Sequence, residues 1–115
     1  GTQRLPRIIG KGNATELIIG GHMIDAHESF RIGLANKLFK KDSLMDEAIK
    51  FANIILGNGP DSIAESLRCI NESVGHSLID GLNLEVEAFS KRFGTDETKE
   101  GLDAFVEKRK PDFRN

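Results

Sequence analysis

Lys108, Arg109 and Lys110 stand directly after the run Glu100-Gly101-Leu102-Asp103-Ala104-Phe105-Val106-Glu107. Leu102, Phe105 and Val106 fall at i, i+3 and i+4, so the run reads as a helix with one apolar face. Three cations in its last turn complement the helix dipole, and Pro111 stops it. One ring and several cations at a helix end can hold an anionic, partly aromatic ligand such as a phosphate-bearing nucleotide. The same pattern also serves an ordinary helix with a solvated basic end.

Elsewhere the reactive side chains do not assemble into a constellation. His22 and His27 are five apart across a glycine-rich turn, which is not the i, i+4 spacing that two helical metal ligands need. His76 sits in a break, and no metal ligand set is expected. Cys69 lies beside Ile70 on a helix and reads as an inert, half-buried thiol. The acid pairs Glu85 and Glu87, Asp96 and Glu97, and Glu100 and Asp103 each fit a helix surface or a first turn. Acid–base work would need two of them in one cleft with split pKa values. Gly10-Lys11-Gly12 is no phosphate loop, because it lacks the required motif and a preceding strand. No residue is therefore assigned a catalytic role.

The elements that would carry these side chains are helices. Asn13 with Glu16 resembles a capping box ahead of Leu17, Ile18 and Ile19, and Gly20-Gly21 ends that helix. Asp25 with Glu28 repeats the pattern before Phe30, and Gly33 keeps the helix short. Residues 34–39 form a mixed stretch that could be extended. Ser43 with Asp46 opens a helix whose stripe runs through Leu44, Ala48, Ile49, Ala52 and Ile55. Pro60 suits a first turn, with Ile63, Leu67, Ile70 and Val74 on one face. After the break at Gly75-His76-Ser77, a third long helix carries Ile79, Leu82, Val86, Phe89 and Phe93. Gly94 stops it, and Thr95 or Asp96 caps the last helix. The expectation is all-α, with five to six short helices.

The 115 residues make one small domain with a modest core. A formal net charge of −2 argues against a broad nucleic-acid footprint, so the short basic run at 108–114 is not read as an RNA site. No apolar run reaches membrane-spanning length, and 1–4 do not lead into a signal peptide. A single cysteine fits a reducing compartment, and a cytoplasmic location is expected. The chain opens at Gly1 within patterned sequence, which reads as a piece of a longer protein.

Taken together, several motifs resemble the enoyl-CoA hydratase (crotonase) family. They are Gly1-Thr2-Gln3-Arg4-Leu5-Pro6-Arg7 with Ile9-Gly10-Lys11, then Ala14-Thr15-Glu16-Leu17 with Gly21, and Ile32-Gly33-Leu34-Ala35-Asn36-Lys37. Phe93-Gly94-Thr95-Asp96-Glu97, Glu100-Gly101-Leu102 and the stretch 104–111 complete the set. Gly20-Gly21-His22-Met23 departs from the family's usual turn, and Ser29 stands where alanine is common.

The resemblance implies the helical C-terminal region of a crotonase fold, an α/β spiral that forms trimers. Residues 1–39 would connect, and 40–115 would supply trimerisation and coenzyme A contacts. It further implies a parent enzyme that hydrates trans-2-enoyl-CoA to 3-hydroxyacyl-CoA in fatty-acid or related acyl-CoA metabolism. Both catalytic glutamates and both oxyanion-hole peptides would lie upstream of Gly1, leaving this chain inactive alone. Phe105, near the adenine or pantetheine, and Lys108, on a CoA phosphate, are the implied substrate contacts, with Arg109 and Lys110 as weaker candidates. An acyl-CoA thioester is then the substrate, no separate cofactor is needed, and the chain is expected to form homo-oligomers. Isomerase and thioester hydrolase reactions of the same family, and a non-catalytic helical self-association module, remain the alternatives.

Overall fold

The computed structural model describes residues 1–114, and the last residue of the 40–115 span lies outside the described residues. Among the described residues there are seven α-helices and no strand: α1 (Leu5–Ile9), α2 (Lys11–Gly20), α3 (Ala26–Arg31), α4 (Leu44–Leu56), α5 (Pro60–Glu72), α6 (Leu78–Arg92) and α7 (Asp96–Glu107). A 3-10 turn at Lys41–Ser43 leads into α4. The chain divides into two compact units, Gly1–Glu47 and Ala48–Asn115, with α4 running through the division.

In the first unit, α1 packs on α2 across Gly10, whose φ of 79° and ψ of 157° turn the chain sharply. A residue with a Cβ would be strained there. The contact buries Ile9 and Ala14. The α1 helix was not expected; Pro6 in its first turn is the local signal that it begins there. Asn13 is not a cap, because α2 starts two residues earlier. Its amide donates back to the Ile9 carbonyl at 2.9 Å from inside the helix. Asp25 does cap α3, its Oδ1 accepting from the Glu28 N–H at 2.7 Å. The 34–39 stretch forms turns and irregular chain rather than a strand.

In the second unit, α5 and α6 form a helical hairpin. Its break contains a cap that the sequence reading passed over: Ser77 Oγ accepts from the Asp80 N–H at 3.2 Å and donates to Asp80 Oδ2 at 2.6 Å. Thr95 rather than Asp96 caps α7, accepting from the Thr98 N–H at 3.3 Å. Among the described residues the buried apolar side chains are Ile9, Ala14, Ala88 and Ala104. The long stripes of α4, α6 and α7 lie largely in solvent: Met45, Ile79, Val86, Phe89 and Phe105 are all exposed. Phe89 and Phe93 meet edge to face, with ring centroids 5.0 Å apart.

Candidate functional site

The basic end of α7 differs from its sequence expectation in one respect. The helix closes at Glu107, not in the Lys108–Lys110 run. Lys108 takes a left-handed conformation with φ 55° and ψ 35°, the one positive φ outside glycine among the described residues. The Lys108 N–H donates to the Phe105 carbonyl at 3.3 Å, and the Arg109 N–H donates to the Ala104 carbonyl at 3.0 Å. These bonds close the helix as a left-handed C-terminal turn does. Phe105 and Lys108 thus stand at one helix end, but Lys108 does not continue the helical face that carries the ring.

The three bases then separate into two kinds. Arg109 is committed. Its Nη1 and Nη2 donate to the two oxygens of Glu100 at 2.6 and 2.9 Å, and its Nε donates to Glu107 Oε2 at 2.5 Å. Glu100 Oε1 also accepts from the Asp112 N–H at 2.6 Å. The Arg109 fork first, and this backbone N–H second, hold the Glu100 carboxyl far below its ordinary 4.5, at about 2. The same fork raises the Arg109 guanidinium further above its usual range. Lys108 and Lys110 make no side-chain hydrogen bond or ion pair among the described residues, and both are exposed. Phe105 is 83% exposed.

Beyond Pro111 the chain folds back. Phe113 lies against α7 where a Cβ on Gly101 would sit 3.7 Å from its ring. Arg114 Nη1 donates to the carbonyls of Leu56 and Asn58. The tail is therefore a strap from the middle of α7 to the end of α4, not a free basic arm.

At the other end of α7, Glu97 does what no sequence pattern announced. Its carboxylate reaches the first turn of α5 and accepts from the N–H groups of Asp61 and Ser62, both at 2.9 Å, and from the Ser62 hydroxyl at 2.5 Å. Anions are favoured at such a terminus. Burial pushes the Glu97 carboxyl up, but the Ser62 hydroxyl, the two N–H groups and Arg92 outweigh it and hold it below its ordinary value. Gly59 leaves the room this needs, since a Cβ there would come within 2.3 Å of the carboxylate. Arg92 donates to Asp61 Oδ2 at 2.9 Å.

An open trough of about 880 Å³ runs between α5 and α6. Ile70, Leu82, Phe89, Cys69, Glu65 and Glu85 are among its lining residues. Glu65 is held by Arg68 at 2.8 Å, so the trough presents no second free carboxylate to pair with Glu85.

An all-helical chain with a ring and unpaired lysines at one end is compatible with many proteins. The decisive observation is that residues 1–115 match the enoyl-CoA hydratase/isomerase family throughout. The chain belongs to that family. It is 41% identical over 113 residues to the crotonyl-CoA hydratase of Syntrophomonas wolfei, covering 98% of this chain and 44% of that protein. It is also 41% identical over 110 residues to the short-chain-enoyl-CoA hydratase of Clostridium acetobutylicum, covering 96% of this chain and 42% of that one. Its fold superposes on the enoyl-CoA hydratase of Bacillus anthracis with a TM-score of 0.95 at 38% identity, over 97% of this chain and 43% of that structure. The chain spans less than half the length of the curated relatives it matches. Its helices are thus the helical region of a crotonase fold, as the resemblance implied.

Among the described residues no helix is long and apolar enough to cross a membrane.

Proposed function

We propose that this chain is the CoA-contacting and self-associating region of an enoyl-CoA hydratase, which adds water across the double bond of a trans-2-enoyl-CoA to form a 3-hydroxyacyl-CoA. The reading rests above all on the family match along the whole chain, with relatives named as hydratases. Phe105 and Lys108 are the proposed substrate contacts: the ring covers part of the adenine or pantetheine, and the ammonium meets a CoA phosphate. Two features support the pair. Lys108 and Lys110 alone among the three bases are unpaired, and an exposed ring three residues before a free cation suits a ligand with an apolar surface and an anionic group. The acyl-CoA thioester is the substrate, no further cofactor is required, and the protein works in the cytoplasm.

The reacting carboxylates are not supplied by this chain. Glu97 and Glu100 are bound to other groups, Asp25 caps α3, and Glu28, Glu65, Glu72 and Glu87 are each ion-paired. The purified chain is expected to leave crotonyl-CoA unhydrated, and measurable loss of the enoyl absorbance would overturn this assignment. In a calorimetric titration the chain should bind CoA and Lys108→Ala should weaken that binding.

A second reading, a self-association module without a ligand, draws on the exposed faces of α4 and α6. Contiguous apolar surface of this kind seeks a partner. The parent is proposed to be trimer-based. Sedimentation should show a concentration-dependent oligomer. Oligomers with no CoA binding would favour the module over the hydratase region.

A further inference from the structure

A left-handed lysine demands a reason. Glycine adopts this conformation without a steric penalty, whereas a side chain with a Cβ does not. Strain of this sort persists where the surroundings hold it in place. Here the surroundings are specific. Glu100, one turn and more back in the helix, holds the chain just after the turn at two points, taking the Arg109 guanidinium in a two-pronged contact and then the Asp112 N–H. Arg109 is braced again by Glu107, the last helical residue. Lys108 lies between Glu107 and Arg109, and Lys110 between Arg109 and Asp112; their ammonium groups have no partner among the described residues. The acid that holds the turn stays ionised far into acid, because its own contacts keep its pKa at about 2.

We propose that Glu100 and Arg109 are a positioning pair: together they hold the left-handed turn that presents Lys108 to a CoA phosphate, and Arg109 is not itself a phosphate ligand. The proposal rests on the reading of Lys108 as a CoA contact. The chemistry separates the two arginine roles. A guanidinium already sharing both oxygens of a carboxylate has its forked face occupied, and turning it to a phosphate would release the turn. An ammonium with no partner has no such obligation. Fixing Lys108 in advance lowers the ordering cost of binding, which is how preorganisation raises affinity.

A double-mutant cycle on the 115-residue chain tests this, with CoA as the titrant and circular dichroism as the check on folding. Lys108→Ala is expected to weaken CoA binding roughly tenfold, as for loss of a charge-assisted contact. Glu100→Gln, which keeps the shape but not the charge, should weaken it severalfold. In the Lys108→Ala background Glu100→Gln should change nothing further, because a positioning residue acts through the residue it positions. Arg109→Lys, which keeps the charge and loses the fork, should behave as Glu100→Gln does. It also serves as the second variant should Glu100→Gln fail to fold.

A purely structural role would lower affinity by the same factor in both backgrounds, and that result overturns the proposal. So does tighter CoA binding in Glu100→Gln, which would mean that a freed Arg109 is a ligand. An unchanged affinity in Glu100→Gln beside a clear loss in Lys108→Ala defeats the positioning pair alone. No effect of Lys108→Ala, or no CoA binding by the unaltered chain, defeats the phosphate contact and the pair with it.

Discussion

Glu97 and Glu100 of α7 use similar materials, a carboxylate that accepts from backbone N–H with an arginine beside it, to different effect. At the N-terminal end Glu97 is 11% exposed and Arg92 20% exposed, counted over their side chains. Glu97 spends its oxygens on the first turn of α5, and Arg92 reaches Asp61 on that same turn. That cluster ties α7 to the α5–α6 hairpin, and no cation there is left over. At the C-terminal end the pair is more exposed and ties only local chain, Glu100 to Arg109 and Asp112. Two unpaired lysines and an exposed ring remain beside it. A sheltered ion pair that caps another helix joins elements. An exposed ion pair across a turn sets the direction of its neighbours. The first pattern marks architecture, and the second marks the place to look for a ligand.

This contrast predicts unequal mutational costs. Glu97→Ala strips the first turn of α5 of its anion and leaves Arg92 undercompensated. It should lower stability by about 2 kcal/mol, with a fall in Tm of roughly 10 °C for a chain of this size. Gly59→Ala should reproduce much of that loss by displacing the same carboxylate, and the two changes together should cost little more than Glu97→Ala alone. Fully additive losses in thermal melts would mean that Gly59 acts independently of Glu97.

Acid should act more gently on both ends. Glu97 and Glu100 have folded-state pKa values below the ordinary 4.5, so the unfolded chain takes up their protons first. Their contribution is therefore in place above about pH 4.5 and drains away as pH falls through the folded values, toward about 2 for Glu100. Urea midpoints should stay level between about pH 7 and 5 and drop by about pH 3. Glu97→Gln should flatten that drop, and an equally steep drop in the variant would remove Glu97 from the account.

The smallest effect is expected at the other end and has the opposite sign. Lys108→Gly relieves the left-handed backbone and should raise stability by about 0.5 kcal/mol, against the greater freedom glycine has when unfolded. It should also abolish the CoA contact. A lower Tm in Lys108→Gly would show that the lysine side chain stabilises the fold, and would erase the contrast drawn between the two ends.

Much of the architecture was legible before any coordinates. Asp25, Pro60 and Thr95 mark helix starts, and Gly21 and Gly33 take the left-handed or positive-φ geometry that ends helices. The exceptions were local competitions. Asn13 looked like a cap, but α2 had already begun, so its amide turned back to the Ile9 carbonyl. Lys108 to Lys110 looked like a last turn, but the helix closes at Glu107 in the left-handed turn at Lys108, and Arg109 reaches Glu100 nine residues back. The candidate site was half legible. Phe105 and Lys108 could be named as candidates only through the family resemblance, whereas the division of labour among the three bases could not be read from the sequence.

What the sequence determined by itself is what acts within a few residues or along the whole length: helical periodicity, capping chemistry, and the ordered motifs of the enoyl-CoA hydratase/isomerase family. What only the tertiary structure decided is where each charge goes. Glu97 meets Ser62 across 35 residues of chain, and Arg114 meets Asn58 across 56. Such partners are chosen by chain closure, not by spacing. A carboxylate reads the same in sequence whether it caps a distant helix, holds a turn or faces water. Its neighbours in space, and the water they exclude, make the difference.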